Sequence, residues 1–301
     1  MRLFSALFSL SLIWGMSFMF IKLLVPVLGP WGVVFYRCLL GALAIFLYLV
    51  IRGRLKEVKR NLPWRSLLLV GLLNALVPWG MIALSEERIS SSLAATLNAT
   101  TPLFTSVLGA IFFSRNLYKK QWLGVGVGFI GILFLIDLDL NALFEEDWRG
   151  ILPMLIATAC YGFASQYTKH HLKGVSVDIL AFITLSFGAL GGLIIMIITG
   201  GGSVQFTPLL QRDILISLFG LGILGSGIAY LLFYYMIQKG SAEFATLVTY
   251  LVPVTALIWG SVYLNEIITL PMIVGLLCIF AGVYLSGRTN GSGQTLMKKS
   301  A

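Results

Sequence analysis

Apolar residues run through this chain in blocks about as long as one bilayer crossing, and most charged residues collect in the short connectors between them. A helix rises about 1.5 Å per residue and the hydrocarbon core is about 30 Å thick, so a crossing needs about 20 apolar residues. Ten blocks meet that length, at roughly 3–25, 31–51, 64–84, 89–113, 119–137, 151–170, 177–199, 213–236, 244–263 and 269–287. They predict an all-α integral membrane protein with ten transmembrane helices.

The blocks repeat. The run Ala95–Arg115 matches Thr246–Glu266 when Pro102 is laid on Pro253, an offset of 253 − 102 = 151 residues. At that offset Ala94 meets Ala245, and Gly109, Gly124 and Gly131 meet Gly260, Gly275 and Gly282. At an offset of 147, Trp14-Gly15 meets Tyr161-Gly162 and Gly41-Ala42-Leu43 meets Gly188-Ala189-Leu190. The change of offset places about four extra residues in the second half, in the Gly200–Arg212 connector. The expected division is a first five-helix repeat at 1–140, an acidic linker at 141–150, a second repeat at 151–287 and a tail at 288–301. An odd number of crossings per half makes the two halves enter the membrane from opposite faces, so the repeat is inverted. Paired halves with interrupted helices point to a carrier.

Composition agrees with lipid as the main solvent. Hydrophobic residues are 58% and charged residues 11%, against about 25% charge in a soluble protein. The net charge of +9 raises nucleic acid as a partner, but its distribution removes that reading. The clusters Arg52–Arg65 and Arg115–Lys120, with Lys169, Lys173, Lys239, Arg288, Lys298 and Lys299, fall on one side of the ten-helix plan. The acids Glu86, Glu87, Asp137, Asp139, Glu145, Glu146, Asp147, Asp213 and Glu266 fall on the other. Basic connectors favour the cytoplasm, which places both termini there. The first apolar block follows only Arg2 and has no small-residue cleavage site before Pro26, so it reads as a retained helix.

Most motifs reduce to packing. Gly126-x-Gly128-x-x-Gly131 and Gly220-x-Gly222-x-x-Gly225 lack the strand that a nucleotide fingerprint requires and read as close helix contacts. Gly124-x-x-x-Gly128 reads the same way, within one chain or between protomers of a homodimer. Cys38, Cys160 and Cys278 are dispersed in apolar runs, with no disulfide or zinc spacing. His170 and His171 are adjacent, so on a helix they point about 100° apart and share no metal. No cofactor and no metal is expected, and no catalytic constellation is visible.

Pro102 and Pro253 carry the candidate chemistry. A proline inside a helix kinks it and frees a carbonyl one turn earlier. In lipid a freed carbonyl needs protein or a water-filled cavity. Asn98, Thr100 and Thr101 precede one proline, and Thr249 and Tyr250 the other. They predict a central cavity; the alternative is a packing kink whose hydroxyls bond their own backbone. Trp14, Ser17, Asn74, Trp79, Tyr161, Ser165, Gln166, Tyr230 and Tyr234 are further candidates for its lining. Arg37, seven residues past Pro30, lies roughly 10 Å into its crossing. A charge there faces a cavity or a partner; with Lys22 it makes the outer half of the pathway basic, and Glu86 or Glu87 is its alternative fixed partner.

These residues resemble the drug/metabolite transporter superfamily, in its EamA-type branch. The markers are Trp14-Gly15-x-Ser17-Phe18 with Ile21-Lys22, Pro30 with Arg37, the spans centred on Pro102 and Pro253, and Leu264-Asn265-Glu266-x-Ile268-Thr269 followed by Gly275 and Gly282. The similarity covers nearly the whole chain. One departure is Ser114-Arg115, where the second half has Asn265-Glu266 and the family often keeps the acid in both halves. The resemblance implies a secondary transporter of a plasma membrane, commonly an exporter of metabolites, amino acids or drugs. Its partners would be a small solute and the bilayer. Protons as a coupling ion stand level with uniport or exchange, because the acids lie near span ends. A membrane enzyme, a lipid-handling protein or a channel is the competing reading.

Overall fold

The computed structural model describes residues 2–55, 58, 62–113, 119–135, 148–200 and 211–287. Among them the chain is all-helical, with no strand. The helices are α1 (Arg2–Ile51), α2 (Trp64–Glu86), α3 (Ser91–Phe112), α4 (Lys119–Leu135), α5 (Trp148–His171), α6 (Val177–Ile198), α7 (Arg212–Lys239), α8 (Phe244–Leu264) and α9 (Leu270–Gly287). Arg115, the acidic stretch from Asp137 to Asp147 and the tail from Arg288 lie outside the described residues.

The sequence predicts ten crossings; among the described residues six helices, α1, α2, α3, α6, α7 and α8, are long and apolar enough for one. The difference has local causes. α1 is 50 residues long and breaks at Gly29, whose φ of 67° and ψ of 165° are not helical. The positive φ suits a residue without Cβ, and Pro30 disfavours a helical residue before it. The limbs 2–28 and 30–51 then run side by side, because Trp14 on one and Arg37 on the other both bond Gly225–Ser226. α4 and α9 carry shorter apolar stretches, Trp122–Gly131 and Leu270–Gly282. α5 ends on the polar run Lys169-His170-His171.

Burial is turned outward relative to a water-soluble protein. Phe4, Phe8, Ile51, Ile111, Phe112, Ile198 and Val262 are exposed, while Arg37, Asn74, Glu86, Asn98, Thr101, Gln166 and Thr249 are buried. Lipid accepts the first group at no cost, and the second can be solvated only by the protein itself.

Packing contacts recur at the sequence offsets. A Cβ on Gly15 would lie 1.8 Å from Thr255 Oγ1 and 3.4 Å from the Ala256 nitrogen; one on Gly162 would lie 2.7 Å from the Thr105 nitrogen. Gly131 faces the Gly275 carbonyl at 2.7 Å, and Gly282 faces the Gly124 carbonyl at 2.5 Å, by the same measure. Gly124-x-x-x-Gly128 is therefore used within the chain, between α4 and α9. Replacing Gly162 with leucine is expected to destabilise the protein by about 3 kcal/mol or more, since the clash is with backbone. Thermal unfolding in detergent, with Gly174→Leu as a control in open space, measures it.

A second recurrence concerns helix ends. Lys22 Nζ donates to the carbonyls of Glu86 at 2.5 Å and Ile89 at 2.8 Å. Lys169 Nζ donates to those of Ile237 at 2.9 Å and Gly240 at 2.7 Å. Each ammonium satisfies the orphan carbonyls that end a helix, α2 or α7, where the dipole favours a cation.

Candidate functional site

α2 and α7 both widen into π-helix at corresponding places, Leu72–Leu76 and Gly220–Ile228. Such turns misalign backbone carbonyls and often mark functional positions. Pro78 has no N–H for the Asn74 carbonyl four residues earlier, and the Tyr230 hydroxyl donates to it instead. The Gly225 carbonyl, at the matching position of α7, accepts from Trp14 Nε1 at 3.1 Å. Sequence reasoning missed both segments; Pro78 was the available signal for the first.

α3 is interrupted at Ala99 and Thr100, just before Pro102, and α8 at Leu247, six residues before Pro253. The nearby hydroxyls bond their own backbone: Thr101 Oγ1 donates to the Asn98 carbonyl and Thr249 Oγ1 to that of Thr246, both at 2.7 Å. The cavity and the self-bonded kink, set against each other in the sequence, coexist. With their protons committed, these hydroxyls present lone pairs to whatever lies beside them. Ser17, whose Oγ donates to the Ile13 carbonyl at 3.0 Å, does the same.

Between these elements lies a cavity of about 40 Å³. Trp14, Ser17, Arg37, Trp79, Asn98, Thr101, Tyr161 and Thr249 line it. Phe18, Ile21, Ile82, Phe233 and Thr246 complete the wall. Apolar residues of this kind are indistinguishable from core in a sequence where most residues are apolar.

Seven candidates, Asn74, Thr100, Ser165, Gln166, Tyr230, Tyr234 and Tyr250, stand outside this lining. Asn74 is turned to Tyr234, donating from Nδ2 to its hydroxyl at 2.9 Å. Tyr230 stacks on Trp79 from behind the wall, with ring centroids 5.0 Å apart and planes at 13°. Gln166 donates to the Thr105 carbonyl at 3.3 Å. Tyr250 packs edge-on against Phe280.

Arg37 is the cation of the wall. It is 3% exposed; its Nε donates to Ser226 Oγ at 3.1 Å, and its guanidinium carbon lies 3.5 Å from the centroid of the Trp79 ring. A ring face attracts a cation more strongly away from water. No carboxylate among the described residues comes within 4.0 Å of it, so the alternative of a fixed ion pair with Glu86 or Glu87 is not what holds it. Lys22 stands apart from it, at the end of α2, where its ammonium is bonded to the carbonyls of Glu86 and Ile89.

At one end of the bundle a carboxylate links distant parts of the chain. Glu266 accepts from the Ser91 nitrogen at 2.8 Å, the Ser92 nitrogen at 2.9 Å and Ser92 Oγ at 2.5 Å. At the other end Arg54 pairs with Asp178.

A lipid-facing shell of helices around a small cavity, with a buried cation and broken helices at its wall, is the arrangement expected of a membrane transporter. The EamA-like transporter family model matches the chain twice, at residues 3–137 and 148–288, and the chain belongs to that family. It is 26% identical over 285 residues to the uncharacterized transporter YoaV of Bacillus subtilis, covering 92% of this chain and 94% of that protein. It is 29% identical over 260 residues to the uncharacterized inner membrane transporter YedA of Escherichia coli, covering 86% and 82%. A WAT1-related chloroplastic protein of Arabidopsis thaliana is 26% identical, covering 93% and 68%. One solved crystal structure shares the fold with a TM-score of 0.68 at 15% identity, over 100% of this chain and 99% of its own.

Proposed function

We propose that the protein is a ten-helix carrier of two inverted five-helix repeats, divided at about 140–150, that moves small zwitterionic or anionic metabolites across the plasma membrane by alternating access. The carrying observation is the cavity wall itself. Arg37 offers a carboxylate its charge; the oxygens of Ser17, Thr101 and Thr249 and the Trp14 ring suit an ammonium and an apolar side chain. Asn98 and Tyr161 complete the polar set. A space of about 40 Å³ holds a few waters, not an amino acid, so solute enters only when the halves move apart. The contacts that recur at the repeat offsets support such rocking about the cavity.

Export, with both termini cytoplasmic, is the direction and orientation favoured by the family resemblance and by the basic connectors. The test is counterflow in proteoliposomes with a panel of amino acids, carboxylic acid metabolites and cationic drugs. Saturable exchange of a carboxylate-bearing solute is expected. Exchange of cationic drugs alone would contradict the role given to Arg37, and no exchange by any member would end the carrier reading.

A further inference from the structure

Glu86, the last residue of α2, is 1% exposed, and neither of its carboxylate oxygens has a hydrogen-bond partner. The two buried or part-buried cations nearest it are bonded elsewhere. Lys22, from the first limb of α1, is bonded to the carbonyls of Glu86 itself and Ile89. Arg37, from the second limb, is bonded to Ser226 and stacked on Trp79. Glu266, beyond α8, is bonded to Ser91 and Ser92. Glu87 and Arg88 follow in the chain, and Arg149 of α5 is exposed at the same end. An ionised carboxylate left bare in such a place is the costly arrangement; a neutral carboxylic acid is the affordable one.

Position and asymmetry give the group a use. Glu86 borders a vestibule of about 620 Å³ lined by Lys22, Val25, Pro26, Gly29, Glu87 and Arg88. One helical turn earlier, Ile82 lines the central cavity, so Glu86 stands between the two spaces. At the repeat offset of 151 its counterpart is Ile237, fully buried and apolar. Both residues give their backbone carbonyls to a capping lysine. The cap therefore needs no carboxyl, and the acid is an addition confined to one half.

We propose that Glu86 is the proton-carrying group of this transporter. In the closed arrangement the carboxyl holds its proton, and when the vestibule opens the proton passes to water there, leaving a carboxylate that Lys22 and Arg37 can reach. A solute anion at Arg37 competes with that carboxylate for cationic charge, so solute occupancy and protonation are linked. The inference rests on the carrier reading, and its test separates the two.

Purified protein is placed in proteoliposomes with a pH-sensitive dye inside, using the panel member that gives counterflow. In the wild type, an imposed pH gradient is expected to drive net solute movement with matching dye response. In Glu86→Gln and Glu86→Ile, the second copying the other half, counterflow is expected to persist within about twofold while gradient-driven movement is lost. Without solute, infrared difference titration should show a protonated-carboxyl band in the wild type that both variants lack. Gradient-driven movement undiminished in both variants, or no such movement in a wild type that performs counterflow, overturns the inference. Absence of counterflow in the wild type instead overturns the carrier reading.

Discussion

Arg37→Leu is expected to cut counterflow of a carboxylate-bearing solute by ~100-fold or more while leaving the protein as stable as the wild type, or more so. The two effects separate because of where the charge stands. In the closed protein it makes one neutral hydrogen bond, to Ser226, and one ring contact, to Trp79, with no carboxylate within 4.0 Å among the described residues. A charge at this depth costs at least about 2.5–3.5 kcal/mol before compensation, and leucine removes that cost along with the charge. Solute binding loses a desolvated charge contact of about 3 kcal/mol, which is ~100-fold in affinity. Arg37→Lys should fall between, near ~10-fold, because a lysine neither stacks on Trp79 nor presents a planar fork. Counterflow and thermal unfolding measured on the same preparations decide the matter. A variant that loses stability and transport together would make Arg37 a structural residue.

Glu266→Ala is expected to lower stability by about 2 kcal/mol and to loosen the end of the bundle where α3 begins. The first four N–H groups of a helix have no partner inside it. Here Ser91 and Ser92 donate theirs to Glu266, and Leu93 donates to Ser90 Oγ at 3.1 Å, so the cap is shared by two parts of the chain. The carboxylate also meets the positive end of the helix dipole. The magnitude is set below three full charge-assisted bonds because Glu266 is only half-buried. Local geometry delivers the group: Asn265 takes a left-handed φ of 54° and the Glu266 nitrogen returns to the Gly260 carbonyl at 3.1 Å, an αL helix end. Glu266→Asp should recover part of the loss, since it keeps the charge one methylene short. Thermal unfolding, with labelling of a cysteine introduced at Val25 in the vestibule, reads both effects; unchanged labelling in Glu266→Ala would show that the contact does not hold this end closed.

Much of the site was legible because polar residues in apolar runs are conspicuous. Trp14, Ser17, Asn98, Thr101 and Thr249 each interrupt a hydrophobic stretch, and Arg37 stands deep in one; all reach the cavity. Asn74 is just as conspicuous and does not, because the π-helical turn around it rotates its amide toward Tyr234. A helix period of 3.6 assigns faces correctly only while the helix remains regular. Lys22 shows a different limit. Its sequence position is that of a pathway cation, and only the folded end of α2 shows which carbonyls its ammonium bonds.

The sequence by itself determined the solvent, the helical class and the repeat: apolar blocks of crossing length admit no other backbone in lipid, and paired prolines and glycines recur at fixed offsets. Tertiary structure alone decided how each charge is used. Arg37, Lys22, Glu86 and Glu266 are four ionisable residues of an apolar chain, yet one lines the cavity, one caps a helix, one is left bare and one joins the start of α3 to the end of α8. Spacing along a helix gives the direction a side chain takes, but the cost of burying a charge depends on which distant donor or acceptor meets it. That meeting depends on how helices far apart in the chain pack together.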